Sequence, residues 1–201
     1  MSSTRVLVAV VYHSGYGHTA RQAEAVAIGA ASLPNANSLL IRVEDIDRHW
    51  DTLEDSDAII FGCPTYMGSA SGEFKLFMDA SSRAAFAQRR WQDKVAAGFT
   101  NAASRSGDKL GTLVQLAVFA AQQGMHWVNL GLPAGHNAST TSEDSLNRHG
   151  FFLGAGAQSD ADRDAEAAAH PADLQTSQYL GRRVAEVAYQ LAAGRLVISA
   201  P

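Results

Sequence analysis

The chain has 201 residues, 46% of them apolar, and a formal charge of −4. That suits one domain, read here as 1–201, large enough to bury a sheet between two helical layers. The mild acidity, with only Arg89, Arg90 and Lys94 clustered as a basic group, argues against a nucleic-acid partner. Cys63, the one cysteine, cannot close an internal disulfide and suits a reducing compartment. The N-terminal apolar run Val6 to Val11 is too short to span a membrane, and the basic start and cleavage site of a secretory leader are missing. The expectation is a soluble, cytoplasmic protein without membrane insertion.

Val6 to Val11 is an unbroken aliphatic run, as in a strand buried on both faces of a parallel sheet. Thr19 to Ala31 has amphipathic helical spacing. Ser38 to Val43 reads as a second strand and, after a short linker, Asp57 to Gly62 as a third. Glu73 to Gln88 reads as a helix, Lys94 to Phe99 as a fourth strand, Lys109 to Gln123 as a long apolar helix and Trp127 to Leu130 as a fifth strand. Gly131 to Gly150, rich in Gly, Ser, Thr and Asn, is a long loop placed at the ligand-binding end of the sheet, and such loops are usually functional or disordered. Ala161 to Ala172 reads as a surface loop or frayed turn, and Leu174 to Ala193 as a closing helix. Strands alternating with helices predict a parallel α/β sheet covered on both faces.

Ligands of such sheets sit beyond the carboxyl ends of the strands. After the first strand comes Ser14-Gly15-Tyr16-Gly17-His18-Thr19, leading into a helix. Unpaired N–H groups and a positive dipole end await an anion there, glycines let the backbone curl, and Ser14 and Thr19 add hydroxyls. Four readings stay open. Gly15-x-Gly17-x-x-Ala20 nominally matches a dinucleotide fingerprint, with Glu44 or Asp45 as the ribose acid, somewhat late. A nucleoside triphosphate suits poorly, because no Gly-Lys-Ser/Thr follows. A lone phosphate monoester would use the hydroxyls at both ends of the loop. The segment could also be a simple strand-to-helix turn.

After the third strand, Cys63-Pro64-Thr65-Tyr66-Met67-Gly68-Ser69-Ala70-Ser71-Gly72 is too rich in small residues to pack a core. It can lay backbone against a flat ring, or be an ordinary loop. After the fourth, Thr100-Asn101-Ala102-Ala103-Ser104-Arg105-Ser106-Gly107 again joins small side chains to free donors. Three such loops at one edge suggest a ligand with a phosphate at one end and a planar hydrogen-bonding ring at the other.

These segments resemble the WrbA-like branch of the flavodoxin family, FMN-dependent NAD(P)H:quinone oxidoreductases. The likeness covers most of the chain and rests on Ser14 to Thr19, on Pro64-Thr65-Tyr66-Met67-Gly68 with Ser71-Gly72, and on Phe99 to Gly107 with Gly124-Met125 closing the next helix. It implies a flavodoxin-like, doubly wound, five-stranded parallel sheet of order 2-1-3-4-5 with helices on both faces. It implies FMN as cofactor and NADH or NADPH as donor. Ser14, Gly15, Tyr16, Gly17, His18 and Thr19 would bind the phosphate. Thr65, Tyr66 and Met67 would line the isoalloxazine, with Pro64 and Gly68 of the same motif also binding the cofactor. Thr100, Asn101, Ala102, Ala103, Ser104 and Gly107 would cover its polar edge and the ribityl chain. Tyr66 and Phe86 would border the acceptor, a quinone or similar small molecule. The resemblance also implies a homo-oligomer, dimer or tetramer, with Leu113, Leu116, Val118 and Phe119 as interface candidates or as residues packing on the sheet. Two departures stand out. Gln122 or Gln123 replaces a family histidine, and the third loop, Ala-Ala-Ser-Arg-Ser-Gly, replaces a glycine-rich one.

With a flavin doing the redox chemistry, no side-chain nucleophile or acid–base dyad is required. No His, Cys, Asp and Glu spacing suggests a metal. Cys63 ends a buried strand and reads as inert packing. His136 and His149 in the long loop are candidates to reach an acceptor, whereas His49, His126 and His170 read as structural or exposed. A one-electron carrier and an FMN-binding regulatory module are the alternatives to the enzyme.

Overall fold

The computed structural model describes residues 4–198. Residues 1–3, part of the stretch inspected above for a leader, and 199–201 lie outside the described residues. Valine-rich β1 (Val6–Tyr12) occupies the middle of the sheet, between β2 (Ala36–Arg42) and β3 (Ala58–Tyr66), and is parallel to both, with Val10 opposite Leu40 on one side and Ile60 on the other. β5 (Val95–Ala102) continues the sheet parallel to β3. Between β3 and β5 the chain adds a short hairpin strand, β4 (Ser69–Ala70), antiparallel to the end of β3. The crossovers are α1 (His18–Ala30), a 3₁₀ turn at Val43–Arg48 with α2 (Trp50–Asp55), α3 (Gly72–Ala84) and α4 (Lys109–Gln122).

The sheet follows the expected order at its first four positions, but its fifth position is shared by two strands. The strand read at 127–130 is only His126–Trp127 (β6), beside Val95 and Ala96. Ala155–Gln158 (β7) pairs with the second half of the same neighbour, Phe99 to Ala102. Gly131, with φ of 70°, and Pro133 carry the chain away from the sheet between them. The Gly131–Gly150 loop therefore interrupts the fifth strand rather than following it. The segment at the ligand-binding end is 159–168, which overlaps the 161–172 stretch expected as a surface loop or frayed turn and carries the short helix α5 (Ala165–Ala168). The closing helix α6 (Pro171–Ile198) begins earlier than its apolar stripe, at a proline suited to a first helical turn.

Alternation along the strands builds two cores. Val8, Val10, Ile60 and Val95 meet Val26 of α1 and Leu180 and Val184 of α6 on one face. Val11, Ile59 and Phe61 meet Phe74, Phe77, Trp91 and Phe119 on the other. Leu113, Leu116 and Phe119 of α4 are thus buried against the sheet, and only Val118 of the four interface candidates faces outward. No helix among the described residues is long and apolar enough to cross a membrane.

Candidate functional site

β1 delivers the first loop. The His13 N–H donates to Gly62 O at 3.0 Å, locking the strand end to β3 before the chain turns. Gly17 immediately precedes α1 with φ of 86°, and a Cβ there would stand 2.9 Å from Ala165 Cβ. A side chain at 17 would meet both backbone strain and a neighbour. The Ala20 N–H donates to Ser14 Oγ at 3.1 Å, so Ser14 caps the helix from inside the turn. The N–H groups ahead of Ala20 have, as at any helix start, no acceptor within the helix.

β3 delivers the second loop and runs further than its apolar run, to Tyr66. Met67 and Gly68, with φ of 50° and 82°, make the two-residue turn into β4, the backbone pairing favoured in tight hairpins. Tyr66 packs edge-on against Tyr16 at 6.4 Å between ring centres. Its hydroxyl lies 2.7 Å from where a Cβ on Gly15 would stand, so the bare face of Gly15 lets the ring rest on the first loop without shifting. Partial burial, with Tyr16 and Glu73 nearby, pushes the Tyr66 phenol upward. His13 ties the same loops together below, its Nδ1 2.8 Å from Ser71 Oγ and its Nε2 3.8 Å from both Glu44 and Glu73 carboxylates.

β5 delivers the third loop. Thr65 Oγ1 lies 2.8 Å from the hydroxyls of both Thr100 and Thr112, and Thr100 donates to Cys63 O at 2.7 Å. This buried hydroxyl cluster ties β3 and β5 to α4 directly beneath the cleft. Burial pushes the Cys63 thiol up to about 12, a backbone hydrogen bond at Ser71 only partly opposing it, so it is an inert packing group.

The three loops converge on one cleft of about 670 Å³, within the range of small-molecule and cofactor sites. Ser14, Gly15, Tyr16, His18 and Thr19 line one end, Pro64, Thr65 and Tyr66 a side, and Asn101, Ala102 and Ala103 the opposite side. Thr100 lies buried below, and Gly17 shapes the turn without forming a wall. Met67 and Gly68 are at the hairpin tip, Met67 fully exposed, and Ser104 and Gly107 lie further along the third loop. Phe86 lies in a separate groove between α3 and α4 with Val114, Val118 and Gln122. Gln123 is buried there and donates to Ser81 Oγ at 2.9 Å, while Gln122 is exposed along the groove, so neither glutamine lines the cleft. Glu44, weighed as a ribose acid, faces His13 and Arg42 instead.

The fourth wall was not anticipated. Ala161, Arg163, Asp164 and Ala165 close the cleft over the first loop. His18 Nε2 is 3.0 Å from Arg163 O, and Arg21 pairs with Glu166 at 3.0 Å, holding this segment to α1. The one signal for it was Asp164 followed by Ala165-Glu166, a short helix start.

Behind the third loop lies a network of buried charge, also unforeseen. Arg148 donates twice to Asp173, at 2.8 and 3.0 Å, and once to Glu143 at 2.7 Å. His149 Nε2 lies 3.1 Å from the same Asp173, and the Gln158 N–H donates to it at 3.0 Å. Burial pushes the Asp173 carboxyl upward, but these bonds from His149, Arg148 and Gln158 outweigh it and hold it at about 2. His149 is therefore a structural group, and His136 lies by Thr141 and Glu143, so neither lines the cleft. Among the described residues, no group of three or more His, Cys, Asp or Glu side chains is arranged to hold a metal.

A family model for NADPH-dependent FMN reductases matches residues 4–140. The chain belongs to that family. Flavodoxin FldP of Pseudomonas aeruginosa is 46% identical over 92% of this chain and 97% of the relative. A protein of Geobacter sulfurreducens named NAD(P)H dehydrogenase (quinone) is 30% identical, covering 92% of this chain and 98% of its own. Among solved structures, the flavodoxin, WrbA-like protein from Agrobacterium tumefaciens superposes with a TM-score of 0.71 at 43% identity, over 92% of this chain and 98% of that one.

The donor set fits FMN. A helix start with flanking hydroxyls suits a terminal phosphate. The cleft, edged by Tyr16, Tyr66 and small alanines, suits a flat ring with polar edges.

Proposed function

We propose that this protein is an FMN-dependent oxidoreductase that transfers two electrons from NADH or NADPH to a quinone or similar small acceptor. The observation that carries the reading is the convergence of three backbone-rich loops on one cleft beside a helix start. In this reading Ser14 to Thr19 hold the phosphate of FMN. Pro64, Thr65 and Tyr66 flank its ring. Asn101 to Ala103, with the rest of the loop to Gly107, meet the polar edge, and Met67 and Gly68 border it from the hairpin tip. When bound, FMN supplies hydride acceptance from the nicotinamide and electron delivery to the acceptor. The chain's own part is to orient the reactants in turn, with Tyr66 as the aromatic nearest the acceptor, and to aim N–H dipoles where negative charge develops. Phe86 enters this reading only through its groove, which with exposed Leu110, Val114 and Val118 offers an apolar surface for self-association as a dimer or tetramer.

The test is turnover. Purified protein loaded with FMN is expected to oxidise NADH or NADPH rapidly when benzoquinone is supplied. Failure with both nucleotides removes the enzyme reading. It would leave the carrier reading, which the flavodoxin name of the Pseudomonas aeruginosa relative favours. Light scattering tests the assembly, and a monomer at micromolar concentration removes it.

A further inference from the structure

Lys109, the first residue of α4, is fully buried. Lysine is almost never wholly enclosed unless paired, and a cation is disfavoured at the positive end of a helix. Both rules are broken at one residue, so packing or capping does not explain it. Its Nζ donates to a backbone carbonyl, Ser104 O, at 2.9 Å, and stands 5.9 Å from the centre of the Phe151 ring. Ser104 O belongs to the loop that carries Asn101 to Ala103 into the cleft. The Asp108 and Gly107 backbones, with φ of 53° each, turn that loop back into the helix. The Lys109 N–H donates to Ser106 O at 3.2 Å, so main chain and side chain of one residue grip two points of the same turn.

We propose that Lys109 is a positioning residue: its ammonium group holds the 102–107 turn in its cleft-bordering shape and places positive charge directly behind it. The charged neighbours bear on this from each packed element. Asp173 of α6 favours the ammonium and Arg148 of the interrupting loop opposes it, while burial, the largest influence, brings Lys109 down to about 8. The grip is therefore strongest below that pH and weakens above it, when a neutral amine donates less strongly to Ser104 O. A cation behind the turn also favours added negative charge on a ligand in front of it. This second consequence rests on the flavin reading of the cleft.

The experiment pairs two measurements on wild type, Lys109→Met and Lys109→Arg. Hydrogen exchange of the Lys109 and Ser159 amides, which donate to Ser106 O and Ala102 O of the turn, is followed in FMN-free protein at pH 6.5 and 9.5, with exchange rates corrected for intrinsic pH dependence. Wild type is expected to lose at least threefold protection between the two, K109M to be unprotected at both, and K109R to stay protected at both. Protection in wild type that does not change with pH, or K109M indistinguishable from wild type, overturns the proposal. Should K109M fail to fold, wild type alone decides by the first criterion. The midpoint potential of bound FMN is then expected to fall in K109M and recover in K109R, and an unchanged potential removes the electrostatic part. If wild type binds no FMN, the cleft reading fails while the exchange result still stands or falls by itself.

Discussion

The two ends of the cleft are built from opposite materials. At the α1 end, the first loop is held by backbone turns, a serine cap, an imidazole and two tyrosine rings, with its ionic tie to the outer wall, Arg21 to Glu166, at the surface. At the α4 and α6 end, the third loop is backed by Lys109, Arg148, Asp173 and His149, all enclosed. An end made of backbone turns and close contact answers chiefly to side-chain volume. An end made of buried charge depends on every partner being present in the right protonation state.

The largest effect expected is from Asp173→Ala, which strands Arg148 inside the protein with only Glu143 left. Loss of one partner of a buried pair costs about 3–5 kcal/mol, read from the urea midpoint at neutral pH. The carboxyl is held at about 2 against 3.8 ordinarily, so its stabilising contribution is complete above pH 3.8 and disappears as pH falls through 2. Wild type should show that acid limb and D173A should lack it. A loss below about 1 kcal/mol would erase the distinction between the two ends.

Next comes Lys109→Met, compared with wild type as pH rises. The folded value near 8 lies below the ordinary 10.5, so the unfolded chain binds the extra proton between them. Wild-type stability should therefore gain on K109M across that window, by up to about 3 kcal/mol, and run parallel to it below pH 8. Parallel curves throughout would show that the buried charge carries no linkage.

Gly17→Ala probes the other end. The left-handed backbone costs an alanine about 1–2 kcal/mol, and its Cβ meets Ala165. FMN affinity is expected to fall about tenfold by fluorescence titration. The fall should be the same at pH 6.5 and 9.5, which separates this end from the Lys109 end. The smallest effect is expected for Glu143→Gln. Hydrogen bonds from Arg105 and Arg148 hold the Glu143 carboxyl at about 2, but it lies at the surface, where solvent screens the pairs. Its denaturation midpoint should be indistinguishable from wild type, and a clear drop would mean that the network reaches further outward than its burial suggests.

Legibility in the sequence followed the same division. β1 and β3 were readable because branched apolar residues fill both faces, β5 from its short apolar run Val95 to Phe99, and the first loop because its glycines and hydroxyls sit directly after β1. β7 was not, since Ala-Gly-Ala-Gln has no β-branched or aromatic residue and owes its pairing wholly to β5. Missing it misplaced the 131–150 loop and hid the wall at 161–165. The charged network was equally silent. Arg148 and Asp173 are 25 residues apart, and neither stands in a pattern that distinguishes it from a surface residue. Lys109 was read only as the start of an apolar helix, and its burial became visible with the packing of the third loop against it.

The division of the fifth strand also bears on how the molecule meets its neighbours in a crowded solution. A long outer strand exposes a row of free N–H and C=O groups that another chain can pair with, the first step toward edge-to-edge association. Here that margin offers only His126–Trp127 and Ala155–Gln158, separated by a loop that leaves the plane of the sheet. Shortening the loop until the two pieces fuse would lay one continuous ribbon along this margin, as β2 already lies along the other.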